Sequence, residues 1–331
     1  MTALMRAWRS PEETGLAALE IVQIPVPAPG DNEILVKVDA AALNFSDLLM
    51  IDGIYQIRPD RPFTPGQEIA GFVISAGSAS GFAAGARVAG KVLWGGFAEY
   101  AILRADMAIA LPDGIGAPEG ATLPIVYTTA MVALVEDANI KPGDTVLIHA
   151  AAGGVGLAAV QIAKACGARV IAAATGPEKR VLVAANGADV AIDYKAEDFV
   201  DVVASATAGK GADIILDSVG GEITAKSLRC IAWQGQLLIV GFSSGEIPKI
   251  SANRLLLRRA VARGIYWDHD RDADMVARCT EKLIGLCLDG GIKPVISGGY
   301  GFDDLPRALE DLRAGSTVGK VILSLGEETS T

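Results

Sequence analysis

The sequence predicts an α/β protein: a small, mostly antiparallel β domain followed by a doubly wound, six-stranded parallel sheet. Three observations carry this reading. Up to about residue 125, short strand-like runs are broken by Gly and Pro clusters. From about residue 140, apolar runs of buried-strand length alternate with helical stretches. At the start of that second stretch, Thr145–Cys166 reads as strand, Gly-rich turn and helix. A length of 331 residues favours two domains, and 51% hydrophobic composition supplies a core for each.

In chain order, Glu33–Val38, Ile69–Ser75, Arg87–Leu93 and Phe97–Leu103 are the strands of the first half. Pro25, Pro27 and Pro29 punctuate an early loop, and Pro59, Pro62 and Pro65 cross an irregular connection. Lys141-Pro142-Gly143-Asp144 is a turn ahead of the strand Thr145–Ala150 and the Ala-rich helix Val155–Cys166. Further strands are Arg169–Ala174, Asp189–Ile192, Asp213–Asp217, Gln236–Val240 and Ala262–Tyr266. Glu178–Ala185, Glu197–Ala206 and Glu222–Ile231 are the helices between them. Such alternation implies right-handed crossovers and a parallel sheet covered on both faces. A helix at Asp272–Leu288 follows, and a last strand, Lys320–Leu325, is expected to rejoin the first domain. The polar end, Glu327–Thr331, is expected to fray.

Composition excludes several functions. A net charge of −10 without a basic tract argues against nucleic-acid binding. The most apolar runs, Ala150–Val160 and Leu237–Phe242, are too short or too Gly-broken to span a membrane. Met1–Glu12 has no apolar stretch of signal-peptide length, so a cytoplasmic location is expected. Cys166, Cys230, Cys279 and Cys287 form no CxxC pair and read as buried thiols. With His149 and His269 far apart in the chain, no metal site can be assembled.

The strongest motif is Ile148-His149-Ala150-Ala151-Ala152-Gly153-Gly154-Val155-Gly156, which ends a strand and opens a helix. Against G-x-G-x-x-G it has Ala151, Gly153 and Gly156, the first glycine being replaced. Gly153 lets backbone approach a pyrophosphate, Gly156 lets helix and strand pack closely, and the helix start attracts the anion. A dinucleotide is therefore the expected ligand. His149, alone at the strand end, reads as a buried, hydrogen-bonded core residue. NAD-type sites place an acid about 20 positions on, at the end of the second strand. Here that strand ends Ala174-Thr175-Gly176, and no Asp or Glu lies between Asp144 and Glu178. Lys179 and Arg180 follow instead, and Tyr194 ends the third strand. A lysine, a tyrosine hydroxyl and a glycine turn suit a 2′-phosphate, which predicts NADPH.

These residues resemble the medium-chain dehydrogenase/reductase superfamily, and within it the zinc-free quinone oxidoreductase (zeta-crystallin-like) group. The matching segments are Asn44-Phe45-Ser46-Asp47, Pro62–Glu68, Gly95–Tyr100, Ala150–Gly156, Asp189–Lys195, Asp217–Gly221, Gly241–Pro248 and Gly319-Lys320-Val321. The resemblance implies a GroES-like domain of residues 1–125 and 290–331 and a Rossmann NADP-binding domain of residues 126–289. It places Ala152, Gly153, Gly154, Val155, Gly156, Thr175, Gly176, Lys179, Tyr194, Gly241, Phe242, Ser243, Tyr266, Trp267 and Lys320 along the cofactor, with Asn44 and Thr129 near the nicotinamide ribose. Zinc alcohol dehydrogenases carry a cysteine near the start of Asn44–Asp47 and a histidine where Gln67 stands; neither is present. Without that Lewis acid, the implied reaction is hydride transfer from NADPH to a quinone or an α,β-unsaturated carbonyl. Tyr55 and Asn44 are the expected catalytic donors to the developing oxyanion, and Tyr127 and Trp267 the expected apolar walls. Asp47 is expected to fix its loop, and Phe45, Phe63 and Phe97 to belong to the core. Asp270 is the expected N-cap of the helix after Asp268-His269-Asp270. A homodimer through Gly235–Phe242 and Ala262–Trp267 as sheet edges is the family expectation. A non-catalytic NADPH-binding protein, crystallin-like or accessory, is the alternative.

Overall fold

A computed structural model describes residues 3–326, so Glu327–Thr331 lie outside the described residues. The chain divides at Ile125/Val126 and Lys293/Pro294 into two units, the first closed by the C-terminal segment. The first unit opens with β1 (Leu4–Arg9), β2 (Glu20–Pro25), β3 (Glu33–Ala42), α1 (Phe45–Ile51), β4 (Glu68–Ala76), β5 (Arg87–Lys91), β6 (Tyr100–Arg104), β7 (Ala108–Ala110) and α2 (Ala117–Gly120). The second unit begins with α3 (Thr128–Met131), β8 (Thr145–Ile148), α4 (Gly154–Ala165), β9 (Arg169–Ala174), α5 (Pro177–Ala185) and β10 (Val190–Asp193). It continues with α6 (Phe199–Ala206), β11 (Ala212–Asp217), α7 (Gly221–Ser227), β12 (Ile231–Ile239), α8 (Ala252–Arg258), β13 (Val261–Gly264) and α9 (His269–Leu288). β14 (Ile296–Gly301), α10 (Leu305–Arg313) and β15 (Lys320–Ser324) complete the first unit.

In the second unit the sheet order is β10-β9-β8-β11-β12-β13, every pair parallel. Consecutive strands run outward from β8 to one edge, then from β11 to the other. The order therefore reverses between β8 and β11, where open sheets of this kind leave a ligand crevice at the carboxyl ends. The strands are apolar because both faces are covered: Val146, Leu147, Ile148, Val170, Ile171 and Ile215 have no accessible surface. On α4, Leu157, Val160 and Ile162 are buried together, the stripe its spacing predicts. Two expectations about β12 are corrected. β12 starts at Ile231 rather than Gln236, because Ile231 pairs with Ala212 before a register shift, and Gln234 adopts φ +61° to absorb it. β12 is also paired on both sides, so Gly235–Phe242 is not a sheet edge; β13 is.

The first unit holds a seven-stranded sheet, β14-β15-β3-β4-β5-β7, with β6 also on β3. β3 is long enough to serve two partners on one side: Glu33–Lys37 pairs with β6 and Ala40–Ala42 with β15. The last strand thus rejoins the sheet as expected. Ile34, Val36, Ile69, Phe97, Leu103, Leu309 and Leu323 form its core. Phe45, however, is exposed, unlike Phe63 and Phe97. The β1–β2 hairpin escapes sequence reading because no tight-turn pair joins its strands, and Pro25 lies inside β2 at its terminal position rather than in the loop.

Candidate cofactor site and a buried polar network

β8 ends at Ile148 and α4 begins at Gly154, so five residues turn the chain at the carboxyl edge of the sheet. An ideal Cβ on Gly156 would lie 2.3 Å from the Ala150 carbonyl oxygen and 2.6 Å from the Ala151 Cα. Only glycine lets α4 approach its strand this closely. At Gly153 the nearest atom to such a Cβ is the Ala150 oxygen at 3.4 Å, an ordinary contact that the fold itself would tolerate. Gly153 is the N-cap; no side chain caps the helix and its first turn has no acid. A twelve-residue helix with an uncapped, glycine-lined start fits a pyrophosphate.

His149 anchors this turn from beneath. Its Nδ1 lies 2.6 Å from Tyr194 Oη and its Nε2 2.8 Å from Ser227 Oγ. The Ser227 hydroxyl donates its proton to the Ile223 carbonyl, so Nε2 must carry hydrogen and Nδ1 must accept from Tyr194. Tyr194 Oη in turn accepts the Ala150 N–H at 3.3 Å. The Tyr194 hydroxyl, expected at a 2′-phosphate, is thus hydrogen-bonded to His149 and to the Ala150 N–H.

Burial, opposed more weakly by the Asp217 carboxylate, lowers the His149 pKa from 6.5 to about 4. Between those values the unfolded chain binds a proton that the fold does not. Stability contributed by neutral His149 is therefore lost as pH falls from about 6.5 to about 4, by about 3 kcal/mol in total. Asp47 behaves oppositely. Burial raises it from 3.8 to about 7, against the Asn44 backbone hydrogen bond, so its contribution is lost as pH rises through that window. Urea unfolding from pH 4 to 7.5 separates the two. The two windows overlap and their slopes oppose each other, so His149→Gln is expected to make stability fall as pH rises, relative to the wild type, and Asp47→Asn to make it rise; unchanged slopes would contradict both assignments.

At the end of β9, Thr175 is exposed, Gly176 takes φ +85° as the N-cap of α5, and Lys179 lies in its first turn. An acid does reach this point, from the neighbouring strand. Asp193 ends β10 and accepts the Lys195 N–H at 2.9 Å. Backbone hydrogen bonds from Lys195 and then Gly176 hold it below its usual range, with Arg180 and Lys195 adding smaller pulls. Lys195 is a cation the sequence reading passed over. Glu197 accepts the Asp193 N–H at 3.3 Å and Glu178 lies in the first turn of α5, so acids and the cations Lys179, Arg180 and Lys195 meet here in similar number.

Past β12, Gly241–Ser243 is laced to the end of β11, with Ser243 N–H donating to Ser218 O at 3.0 Å. There Asp217 accepts the Val219 N–H at 2.8 Å, the Gly220 N–H at 3.1 Å and the Thr224 hydroxyl. Past β13, Tyr266 is largely exposed and Trp267 is buried, its Nε1 donating to Thr129 Oγ1 at 3.1 Å. The expected wall residue Tyr127 is instead core, its hydroxyl donating to Gln161 Oε1 at 2.8 Å. The N-cap of α9 is Asp268, not Asp270: its carboxylate accepts from Arg271 N, and Asp272 reaches back to the Asp268 N–H at 2.9 Å.

In the first unit, Asn44 and Lys320 are far from free. Lys320 Nζ lies 2.7 Å from Glu68 Oε2, with exposures of 4% and 0%. The same ammonium donates to Asn44 Oδ1, and Asn44 Nδ2 donates to Glu68 at 3.0 Å and to Ala42 O at 3.4 Å. Glu68 Oε1 accepts the Ile125 N–H at 2.6 Å. The side chains expected to contact cofactor or oxyanion are thus hydrogen-bonded to one another, a pairing across 276 positions that no local pattern announces. Asp47 caps α1 by accepting the Asn44 N–H at 2.7 Å, which fixes that loop. The Ser46 hydroxyl donates to Gln67 Oε1, so the residue standing at the zinc-binding histidine's position is tied to a neutral neighbour. Tyr55 sits half-buried in the loop after α1, its carbonyl accepting from Arg58 Nε at 3.1 Å.

The alcohol dehydrogenase GroES-like domain family matches residues 30–113, and the zinc-binding dehydrogenase family matches residues 154–281. Quinone oxidoreductase-like protein 2 homolog of Nematostella vectensis is 38% identical over 301 residues, covering 89% of this chain and 82% of that one. The chain belongs to the quinone oxidoreductase group of the medium-chain dehydrogenase/reductase superfamily. Within this group, human quinone oxidoreductase is 33% identical, over 97% of this chain and 98% of its own. The Escherichia coli quinone oxidoreductase, solved in complex with NADPH, superposes with a TM-score of 0.87 at 29% identity, covering 97% of this chain and all of that one. The GroES-like and Rossmann assignments of the group correspond to the two sheets described above.

Proposed function

We propose that the protein is an NADPH-dependent oxidoreductase that reduces a quinone or an α,β-unsaturated carbonyl without a metal ion. The observation that carries this reading is the uncapped start of α4 at the β8–β11 switch point, with Gly156 pressed against Ala150. NADPH, when bound, supplies the hydride that, with one proton, converts a quinone to a hydroquinone or saturates the conjugated double bond. Ala152–Gly156 hold the pyrophosphate. Thr175, Gly176 and Lys179, with Arg180 and Lys195 offsetting Asp193, favour the 2′-phosphate. Thr129, Gly241–Ser243 and Tyr266–Trp267 position the remainder. With Asn44 committed to Glu68 and Lys320, Tyr55 is the donor to the oxygen on which negative charge develops, and the proton comes from solvent. Asn44 bonded to Glu68 and Gln67 bonded to Ser46 offer a divalent metal neither thiolate nor imidazole, which favours metal-free chemistry.

The test is steady-state NADPH oxidation against quinones, enones and enoyl thioesters, with NADH and added zinc as controls. Zinc-stimulated alcohol oxidation would overturn the reading, and NADPH binding without turnover on any acceptor would make the protein an accessory cofactor binder. Lys179→Glu is expected to weaken NADPH binding at least about tenfold while leaving NADH binding nearly unchanged, since it replaces attraction to the phosphate by repulsion. Equal losses for the two dinucleotides would remove Lys179 from the phosphate site.

The same reading includes a homodimer joined along the open edge of β13, where Val261 is exposed and the preceding helix α8 exposes Leu256 and Leu257; sedimentation equilibrium of the protein and of Leu257→Glu tests it. No helix among the described residues is long and apolar enough to cross a membrane. All four cysteines are free, which suits the reducing cytoplasm.

A further inference from the structure

We propose that the first unit carries a pocket for a planar anionic substituent, a carboxylate or sulfonate, on the electron acceptor, gripped by Arg9 and Arg58 against Trp94. This rests on the reading of the protein as a reductase of quinones or enones and narrows its substrate class.

A cavity of about 500 Å³, within the range of small-molecule sites, is lined by Arg9, Arg58, Asp60, Phe63, Thr64 and Trp94. Two guanidinium groups against one carboxylate leave a local positive charge in a chain whose net charge is −10. Arg9 Nε is buried and has no hydrogen-bond partner. No hydrogen bond braces Arg9 at that nitrogen, so the charge of its guanidinium beside the cavity is not taken up by a neighbour there. Arg58 is exposed, and its Nε donates to the carbonyl of Tyr55, so the cationic wall and the candidate oxyanion donor share one loop.

The neighbouring Arg61 shows what an arginine used as a brace looks like here. Its guanidinium donates to Ser10 Oγ at 2.7 Å, Pro11 O at 2.9 Å, Met50 O at 3.1 Å and Ile51 O at 2.7 Å, and stacks over Phe63. That brace, with the paired backbone bonds of Ser10 and Phe63 and the Gly95 N–H to Thr64 O bond at 2.8 Å, fixes the walls before any ligand arrives. Trp94, exposed and lining the cavity, adds an aromatic surface suited to a planar group, and a guanidinium fork matches a carboxylate or sulfonate in plane.

The experiment compares a neutral naphthoquinone with the same naphthoquinone bearing a sulfonate, in the wild type, Arg58→Gln, Arg58→Glu and Arg9→Gln. Each change is expected to lower kcat/KM for the sulfonated acceptor about tenfold, Arg58→Glu more, while the neutral acceptor changes less than about twofold. Because the ratio is compared between variants, the intrinsic reactivity of the two quinones cancels. Arg58 lies in an exposed loop, so its variants report even where Arg9→Gln unfolds. Calorimetric binding of the sulfonated quinone is measured alongside and needs no turnover. Loss of binding on Arg58→Glu supports the pocket even where no quinone is reduced, an outcome that would sink the reductase reading alone. An acceptor ratio and a binding constant that stay the same in every variant would overturn the pocket, while turnover of the neutral quinone would leave the reductase reading standing.

Discussion

Lys320→Met is expected to destabilise the protein by about 3–5 kcal/mol, and Glu68→Gln on that background to recover most of the loss. The reason is the environment of Glu68. Its carboxylate has no accessible surface, and its neighbours are Lys320, the Asn44 amide and the Ile125 N–H. Burial already pushes its pKa up, and Lys320 is the largest opposing influence. Removing the ammonium leaves a buried carboxylate with neutral donors alone, so the carboxyl takes up a proton at higher pH than before. A group with a raised folded pKa loses its contribution as pH rises, so the deficit of the Met variant grows toward alkaline pH. Glutamine removes the charge and keeps an oxygen for Ile125 and an amide for the network. Urea unfolding of the single and double variants checks this, together with NADPH affinity. A stability loss below about 1 kcal/mol accompanied by a large loss of NADPH affinity would return Lys320 to the cofactor site.

The parts of the site that sequence reading reached are those whose physics is local. The β8–turn–α4 unit is a run of apolar residues, three glycines and an Ala-rich stripe within about twenty positions, and each feature constrains its neighbours directly. The alternation from Arg169 to Gly264 is equally local, and six parallel strands follow from it. What stayed hidden depends on chain segments meeting. Asn44 carries the polarity of a donor, but the Glu68 and Lys320 side chains that occupy its amide arrive from β4 and β15. Tyr194 carries the polarity a phosphate would use, but nothing local announces that its hydroxyl bonds to His149, 45 positions earlier. Asp193 escapes a search for acids along β9 because it comes from β10 beside it. β14 and α10 went unread because Ile296–Gly301 is half glycine and its partner strand lies beyond the helix.

Gly156→Ala and Gly153→Ala are expected to fail in different ways, and the contrast decides whether the turn grips a dinucleotide. At Gly156 the added methyl meets backbone on two sides, the Ala150 carbonyl and the Ala151 Cα, and neither can rotate away. Helix α4 must shift off β8, with a cost of about 2–4 kcal/mol and a loss of NADPH affinity of at least about tenfold. At Gly153 the backbone angles, φ −82° and ψ 177°, suit alanine, and the methyl meets only the Ala150 oxygen at 3.4 Å. Unfolding should therefore stay within about 0.5 kcal/mol of the wild type. The methyl nevertheless stands at the uncapped helix start, where a pyrophosphate needs backbone contact, so NADPH affinity should still fall about tenfold. Fluorescence titration with NADPH and urea unfolding of both variants measure the two quantities separately. A Gly153→Ala protein that binds NADPH as tightly as the wild type would mean that the anion does not sit on this helix, whatever the fold around it resembles.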